Sequence, residues 1–293
     1  MKAPPFAYRS ASSVRQAVDV LALAGADAAV LAGGQSLLID LHYRRIRPLL
    51  VLDINPVREL EGVRVDTEAN GGMARIGALV RHRELESLPL GDPLDRMLSL
   101  IAGYVAHPPV RTRGTFAGSV AWAHPAAEWC ALTAGLAGAV ETSGAAGQRR
   151  VPAAEWFAGR HRTARRPDEL VTAVWLPLLG AGTGVGFAEH RRTHASFAMA
   201  ASCAAVRLTT GRVTWARIGM ANAADVPVRA VAAERLLVGN SVSRALLTDA
   251  AEQAAAAADP VPEPYCSPEY RRQALRVLVR RSLAAAVADA VAS

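Results

Sequence analysis

Leu31-Ala32-Gly33-Gly34-Gln35-Ser36-Leu37-Leu38 is the stretch on which the reading of this chain turns. The apolar run from Ala28 to Leu31 precedes it, and an apolar segment follows, so a glycine pair stands between a strand and a helix or loop. Such a pair lets the backbone approach a bulky anion, with free N–H groups and a helix start favouring negative charge. Gly33 and Gly34 suit that role, with Gln35 and Ser36 as side-chain donors.

Upstream of this turn, Val14, Ala17, Val18 and Leu21 recur at helical spacing behind the possible N-caps Ser12 and Ser13. Downstream, Leu49 to Ile54 reads as a buried strand closed by Asn55-Pro56, and Val63 to Val65 with Met73 to Ala78 flank the turn signal Asn70-Gly71-Gly72. A charged segment from Arg81 to Glu86 precedes a helix expected over 94–106. His107-Pro108-Pro109 should end that helix and open an extended segment from Val110 to Val120. Pro125 is expected at the first position of a helix running to about Ala134, with Glu128 in its first turn. Strands near 137–141 and 170–176 follow.

Arg113-Gly114-Thr115-Phe116-Ala117-Gly118-Ser119 again combines small residues with hydroxyl donors ahead of a helix start. Two such loops fit a diphosphate bridged between them. The glycine-rich run Gly180 to Gly186 does not match G-x-G-x-x-G in any register, because Val185 and Phe187 fall where the last glycine is required, so a nicotinamide-type Rossmann site is unsupported. That run reads as a boundary near residue 180, with domains at 1–178 and 179–293. Beyond it, strand-like stretches at 201–208 and 213–220 alternate with helical ones at 230–238, 245–257 and 268–292.

Composition narrows the function further. With 293 residues, 51% of them hydrophobic and 20% charged, the chain can bury a core larger than one small domain. No basic start leads into an apolar signal core, and no apolar run nears the roughly 18 residues of a membrane span. The expectation is a soluble, cytoplasmic protein. Cys130, Cys203 and Cys266 lie far apart, which leaves no CxxC pair or cluster-binding set; they read as buried free thiols, and any iron–sulfur cluster must come from a partner. The net charge of +7 rests on arginines spread along the chain, with Lys2 the only lysine, so no nucleic-acid patch is defined. Arg111 and Arg113 are candidates to neutralise phosphate and Arg191 and Arg192 to face a partner, but all four read first as solvated. No catalytic triad and no metal motif appears.

The segments A-G-G-Q-S-L-L at 32–38, H-P-P-V-R-T-R-G-T-F-A-G-S at 107–119 and H-P-A-A-E-W at 124–129 resemble the FAD subunits of molybdenum hydroxylases, among them carbon monoxide dehydrogenase medium subunits and the flavin domain of xanthine dehydrogenase. The likeness continues through Pro167 to Pro177, Phe187 to Ala198, Pro227 to Ala230 and Glu269 to Arg272, and so spans essentially the whole chain. It implies an α+β fold: a two-lobed FAD-binding domain of the vanillyl-alcohol-oxidase (PCMH) type, then a smaller α+β domain with an antiparallel sheet and helices.

By the same resemblance, Leu31, Ala32, Gly33, Gly34, Gln35, Ser36 and Leu37 form one diphosphate loop, and Gly114, Thr115, Ala117, Gly118 and Ser119 the other. Val110 and Phe197 fall beside the isoalloxazine, Glu128 on the flavin's polar chain, and His124 and Leu170 among the cofactor contacts. The implied partners are a large molybdenum-cofactor subunit and a small 2Fe-2S subunit, with NAD⁺ or oxygen as acceptor. Three departures stand out: Ala117 replaces the first glycine of the family's pair, His124 takes the place of a common Asp, and Phe197 lacks a tyrosine hydroxyl. Ala117 fits only with a negative φ, since its Cβ at positive φ costs about 1 kcal/mol or more. A self-sufficient flavin oxidoreductase and a binding module that has lost FAD remain alternative readings.

Overall fold

The computed structural model describes residues 2–67 and 71–292. Ser13 opens the first helix by accepting the Gln16 N–H, leaving Ala17, Val18 and Leu21 to face the core. This helix, α1 (Val14–Ala24), connects β1 (Ala7–Ser10) to β2 (Ala28–Leu31); α2 (Leu37–His42) then leads to β3 (Leu50–Asp53). The three strands form a parallel sheet in the order β1-β3-β2, with Ala7 and Ala28 both opposite Leu50. The glycine turn therefore lies at the C-terminal edge of a parallel sheet, where βα loops gather ligands.

The second lobe is antiparallel. β4 (Val63–Asp66) and β5 (Met73–Gly77) pair as the alternation predicts, although Asn70 of the expected turn lies outside the described residues. α3 (Pro93–Ala102) is capped by Asp92 and stops four residues short of the predicted end. The segment expected to be extended is instead two short helices, α4 (Pro108–Arg111) and α5 (Phe116–Trp122). The prolines at 108 and 109 start a helical turn, because their fixed φ suits the first positions and no N–H is needed there. Likewise Pro125 sits in a turn, and α6 (Glu128–Gly135) begins three residues later behind Ala127. β6 (Ala139–Gly144), β7 (Gly147–Pro152), α7 (Ala153–Trp156), β8 (Phe157–Gly159), β9 (Arg162–Thr163) and β10 (Leu170–Pro177) complete the lobe, whose five-stranded sheet runs β4-β5-β10-β6-β7.

A third sheet, β11-β12-β13-β14, follows, built from Thr183–Arg191, Ala198–Thr209, Arg212–Ala221 and Val228–Arg229. α8 (Val231–Leu237), α9 (Arg244–Ala256) and the long α10 (Pro268–Ala292) cover it. Gly184 and Gly186, read from sequence as part of a boundary, lie inside β11. A Cβ on Gly184 would overlap the carbonyl of Ala286, and one on Gly186 that of Ser282, so these glycines let α10 approach the strand backbone. A second close approach ties this sheet to the first part of the chain: a Cβ on Gly135 of α6 would sit 2.6 Å from Cα of Gly219 on β13. The α+β architecture implied by the resemblance is the one observed. Among the described residues no helix is long and apolar enough to cross a membrane.

Replacing Gly184 by valine should lower stability by about 2–3 kcal/mol, because the helix backbone has to move to admit the side chain. A reduced midpoint in denaturant unfolding is the expected reading; an unchanged midpoint would mean that α10 slides freely on β11.

Candidate functional site

The turn after β2 leaves a run of its backbone N–H groups without an acceptor among the described residues. Gly34 has φ of 75°, and its N–H, like those of Gly33, Gln35, Ser36 and Leu37, donates to no acceptor among the described residues. Gln35 Nε2 lies 3.3 Å from the Gly33 carbonyl, and Ser36 precedes α2 without a capping bond. Gly33 is pressed against the second loop: a Cβ there would overlap the carbonyl oxygen of Arg113 and stand 2.7 Å from Cα of Gly114. The two loops thus meet backbone to backbone, a fit that only glycine allows at this position.

Two side chains from other elements hold the loops together. Asn55, just past β3, donates to the Ala32 carbonyl at 2.9 Å and accepts from Arg81 Nη2 at 2.7 Å; Arg81 Nη1 donates to the Arg113 carbonyl at 2.5 Å. His82 completes the support. Its N–H bonds to the Gly114 carbonyl at 3.0 Å, its ring fills the space a Cβ on Gly114 would need, and its Nδ1 accepts the indole N–H of the buried Trp129 at 3.0 Å. Burial, with Arg111 and Arg81 nearby, lowers the His82 pKa to about 3, so the ring is neutral and free to accept.

Thr115 caps α5, its Oγ1 accepting the Gly118 N–H at 3.0 Å. A Cβ on Gly118 would lie 2.6 Å from that hydroxyl, which accounts for glycine there. Ala117 is buried and absent from the residues with positive φ, so the condition for alanine at this position is met. The N–H groups of Thr115 and Ala117 have no acceptor among the described residues. Together the two loops offer a concentrated set of unpaired backbone donors on a braced scaffold, which is what a diphosphate needs.

An aromatic wall stands at the far end of α5. The rings of His124 and Phe197 stack at 4.3 Å with 13° between their planes, Trp122 lies 5.2 Å from His124, and His161 lies 4.5 Å from Trp122. His124 Nδ1 accepts the Ala126 N–H at 3.1 Å, and burial with the charge of Arg160 lowers its pKa to about 4, so it too is neutral. Trp122 is anchored to Asp40 of α2 through its indole N–H at 3.3 Å. A half-exposed Phe197 over a neutral His gives a flat apolar surface suited to a planar ring.

Glu128, at the start of α6, is buried, and its charge acts on Glu189 of β11, whose side chain is buried as well. Burial pushes both carboxyls well above the usual glutamate range, with Arg191 opposing the shift in each. Glu189 drew no notice from sequence, having no motif around it. Nor did Asn55, Arg81 and His82, which read only as a strand terminator and a charged segment.

Most of the predicted residues gather around these features, with Val110 on α4 accepting from the Gly114 N–H at 2.7 Å. Leu170 is buried at the head of β10, opposite Ser143. Arg111 and Arg191, read as solvated, are not: Arg111 bonds Glu86 at 2.6 Å and the carbonyls of Val105 and Ala106, and Arg191 bonds the Tyr104 carbonyl at 2.8 Å. Arg192 lies over the ring of Tyr265. All three cysteines are free and buried.

Comparison with known proteins matches residues 4–179 to the family described as the FAD binding domain in molybdopterin dehydrogenase, and residues 186–286 to the CO dehydrogenase flavoprotein C-terminal domain. The 6-hydroxypseudooxynicotine dehydrogenase complex subunit alpha of Paenarthrobacter nicotinovorans is 35% identical over 98% of this chain and 96% of its own length. The carbon monoxide dehydrogenase medium chain of Hydrogenophaga pseudoflava is 31% identical over 97% of each. A solved structure of carbon monoxide dehydrogenase from the same organism superposes with a TM-score of 0.93 at 32% identity, covering 99% of both chains, and quinoline 2-oxidoreductase from Pseudomonas putida 86 with 0.90 at 30%, covering 99% of this chain and all of the other.

Because His82 is neutral when folded but titrates near 6.5 when unfolded, its contribution is complete above that value and fades as pH falls toward 3. A His82→Gln variant should therefore lose less stability than the wild type between pH 7 and 4, the gap closing by about 3 kcal/mol. Denaturant unfolding at the two pH values measures it.

Proposed function

The chain belongs to the FAD-binding medium subunits of molybdenum hydroxylases, and from that premise we propose that it carries electrons between a 2Fe-2S small subunit and a final acceptor, after a large molybdenum-cofactor subunit has oxidised the substrate. As an oxidoreductase flavoprotein it needs no catalytic acid or base of its own. FAD, when bound, supplies storage and release of electrons singly or in pairs.

The observation that carries this reading is the meeting of two loops rich in unpaired N–H groups, held by Asn55 and Arg81. On it, Ala32 to Ser36 and Thr115 to Ser119 hold the diphosphate, with Leu31 and Leu37 closing the flanks of the first loop. Gly33 and Gly118 keep backbone and hydroxyl where larger residues would collide. Phe197 and His124 shield one face of the flavin ring from water, with Val110 and Leu170 as further apolar neighbours, and Glu128 faces the polar chain. Acceptance by NAD⁺ or oxygen fits a surface-exposed ring edge beside Phe197. We place the domain boundary at residue 178 and the complex in the cytoplasm.

The purified chain should show flavin absorbance bands, or acquire them on addition of micromolar FAD, and bleaching by NADH would identify the acceptor side. Gly33→Val should abolish retention of FAD, because the side chain collides with the Arg113 carbonyl. A wild-type protein that stays colourless with FAD in excess would sink the reading, and a Gly33→Val variant that binds normally would move the diphosphate elsewhere.

A further inference from the structure

Five described side-chain atoms are buried without a hydrogen-bond partner, and two of them are the carboxyl oxygens of Glu189. No other residue contributes both oxygens of a charged group. The Glu189 side chain is wholly inaccessible, and the nearby cation Arg191 keeps its Nε 3.7 Å away, beyond hydrogen-bond distance. An unpaired buried carboxylate is costly, and two carboxylates within reach of each other cannot both be charged. A proton held on Glu189 removes one of the two charges, in the direction that burial and the Glu128 charge push its carboxyl.

Along the chain, Glu128 follows His124 of the aromatic wall by four residues and immediately precedes Trp129, which supports His82 and through it Gly114. Its partner comes from the other side of the junction, on β11. Among the described residues, the charged or titratable groups acting on the pair are Arg191 on the same strand and Cys130 on α6. Arg191 divides its contacts among the Tyr104 carbonyl, the Tyr104 ring and His194, and meets Glu189 only at 3.7 Å, so it opposes the upward push of burial without donating a hydrogen bond to the carboxyl.

We propose that Glu128 and Glu189 form a proton-sharing dyad that takes up a proton as electrons enter the cofactor site and releases it as they leave. This rests on the FAD reading above. Electrons supplied by an iron–sulfur donor add negative charge to the cofactor site, which raises the proton affinity of buried carboxylates on the same framework. The proton comes from solvent: one carboxylate oxygen gains an O–H bond, and that bond breaks again when the acceptor removes the electrons. No bond to the cofactor is made or broken, so the dyad acts by position and charge. Its two protonation steps belong to the pair as a whole.

The test uses the full chain loaded with FAD. The midpoint potential of the flavin is recorded from pH 5.5 to 9 for the wild type and Glu189→Gln, with infrared difference spectra on reduction. The expected result is a potential that depends more steeply on pH in the wild type through neutrality, and a carboxylic-acid C=O band that grows on reduction and is lost in the variant. Coincident curves without such a band overturn the proposal while leaving FAD binding intact. In the chain without FAD, the same band titrating above the ordinary glutamate range supports the dyad independently of the cofactor. Failure to bind FAD at all overturns the functional reading and the coupling with it. Should Glu189→Gln fail to fold, Glu128→Gln or the wild-type infrared spectrum alone decides.

Discussion

Contact between the Gly33 backbone and the carbonyl of Arg113 is the constraint on which the rest of the site depends. Two loops from different lobes touch main chain to main chain, and both carry N–H groups without an acceptor among the described residues. Backbone donors are expensive to leave unpaired once water is excluded, so they are useful only where an anion takes water's place. The scaffold must hold them still until then. Asn55 and Arg81 do so by hydrogen-bonding one carbonyl on each loop and each other, and the neutral ring of His82 wedges under Gly114.

The wedge in turn depends on deeper packing. Trp129, which orients His82, belongs to α6, and α6 is fixed to the third sheet where Gly135 meets Gly219 and where the Gly219 Cβ position is occupied by the carbonyl of Ala131. Small residues recur at these joints because helix and strand backbones approach closely enough to exclude a Cβ. The third sheet is thus more than an appendage: its strands set the position of the helix that carries Glu128 and Trp129.

Charge burial follows one rule nearly everywhere. Arg271, with no exposed surface, bonds Glu263 at 2.7 Å and the carbonyls of Met199 and Val261; Glu234 is met by Arg229 at 2.7 Å and Glu169 by Arg149 at 2.5 Å. Each buried charge has a partner with matched geometry, as the cost of desolvation demands. Glu189 departs from that rule: both its carboxyl oxygens lack a hydrogen-bond partner among the described residues, and the nearby cation Arg191 keeps its Nε 3.7 Å away.

Several features were legible in the residues alone. Short apolar runs bounded by turn signals located β2, β3, β5, β10, β12 and β13, helical spacing located α1, α9 and α10, and the two glycine loops were found because their signals are contiguous and local. The isolated cysteines excluded a cluster within this chain. Local rules failed where proline admits two outcomes, at α4 and before α6, since a fixed φ can either end a helix or begin one. They also misjudged Gly184 and Gly186, whose need for glycine comes from a helix about a hundred residues further along the chain. What only the tertiary structure decided is the set of partners: Asn55 with Arg81, His82 with Trp129 and Gly114, His124 with Phe197, and Glu128 with Glu189. Their members lie on separate elements, so no spacing announces them, and their protonation states arise from burial, which exists only after the chain has folded.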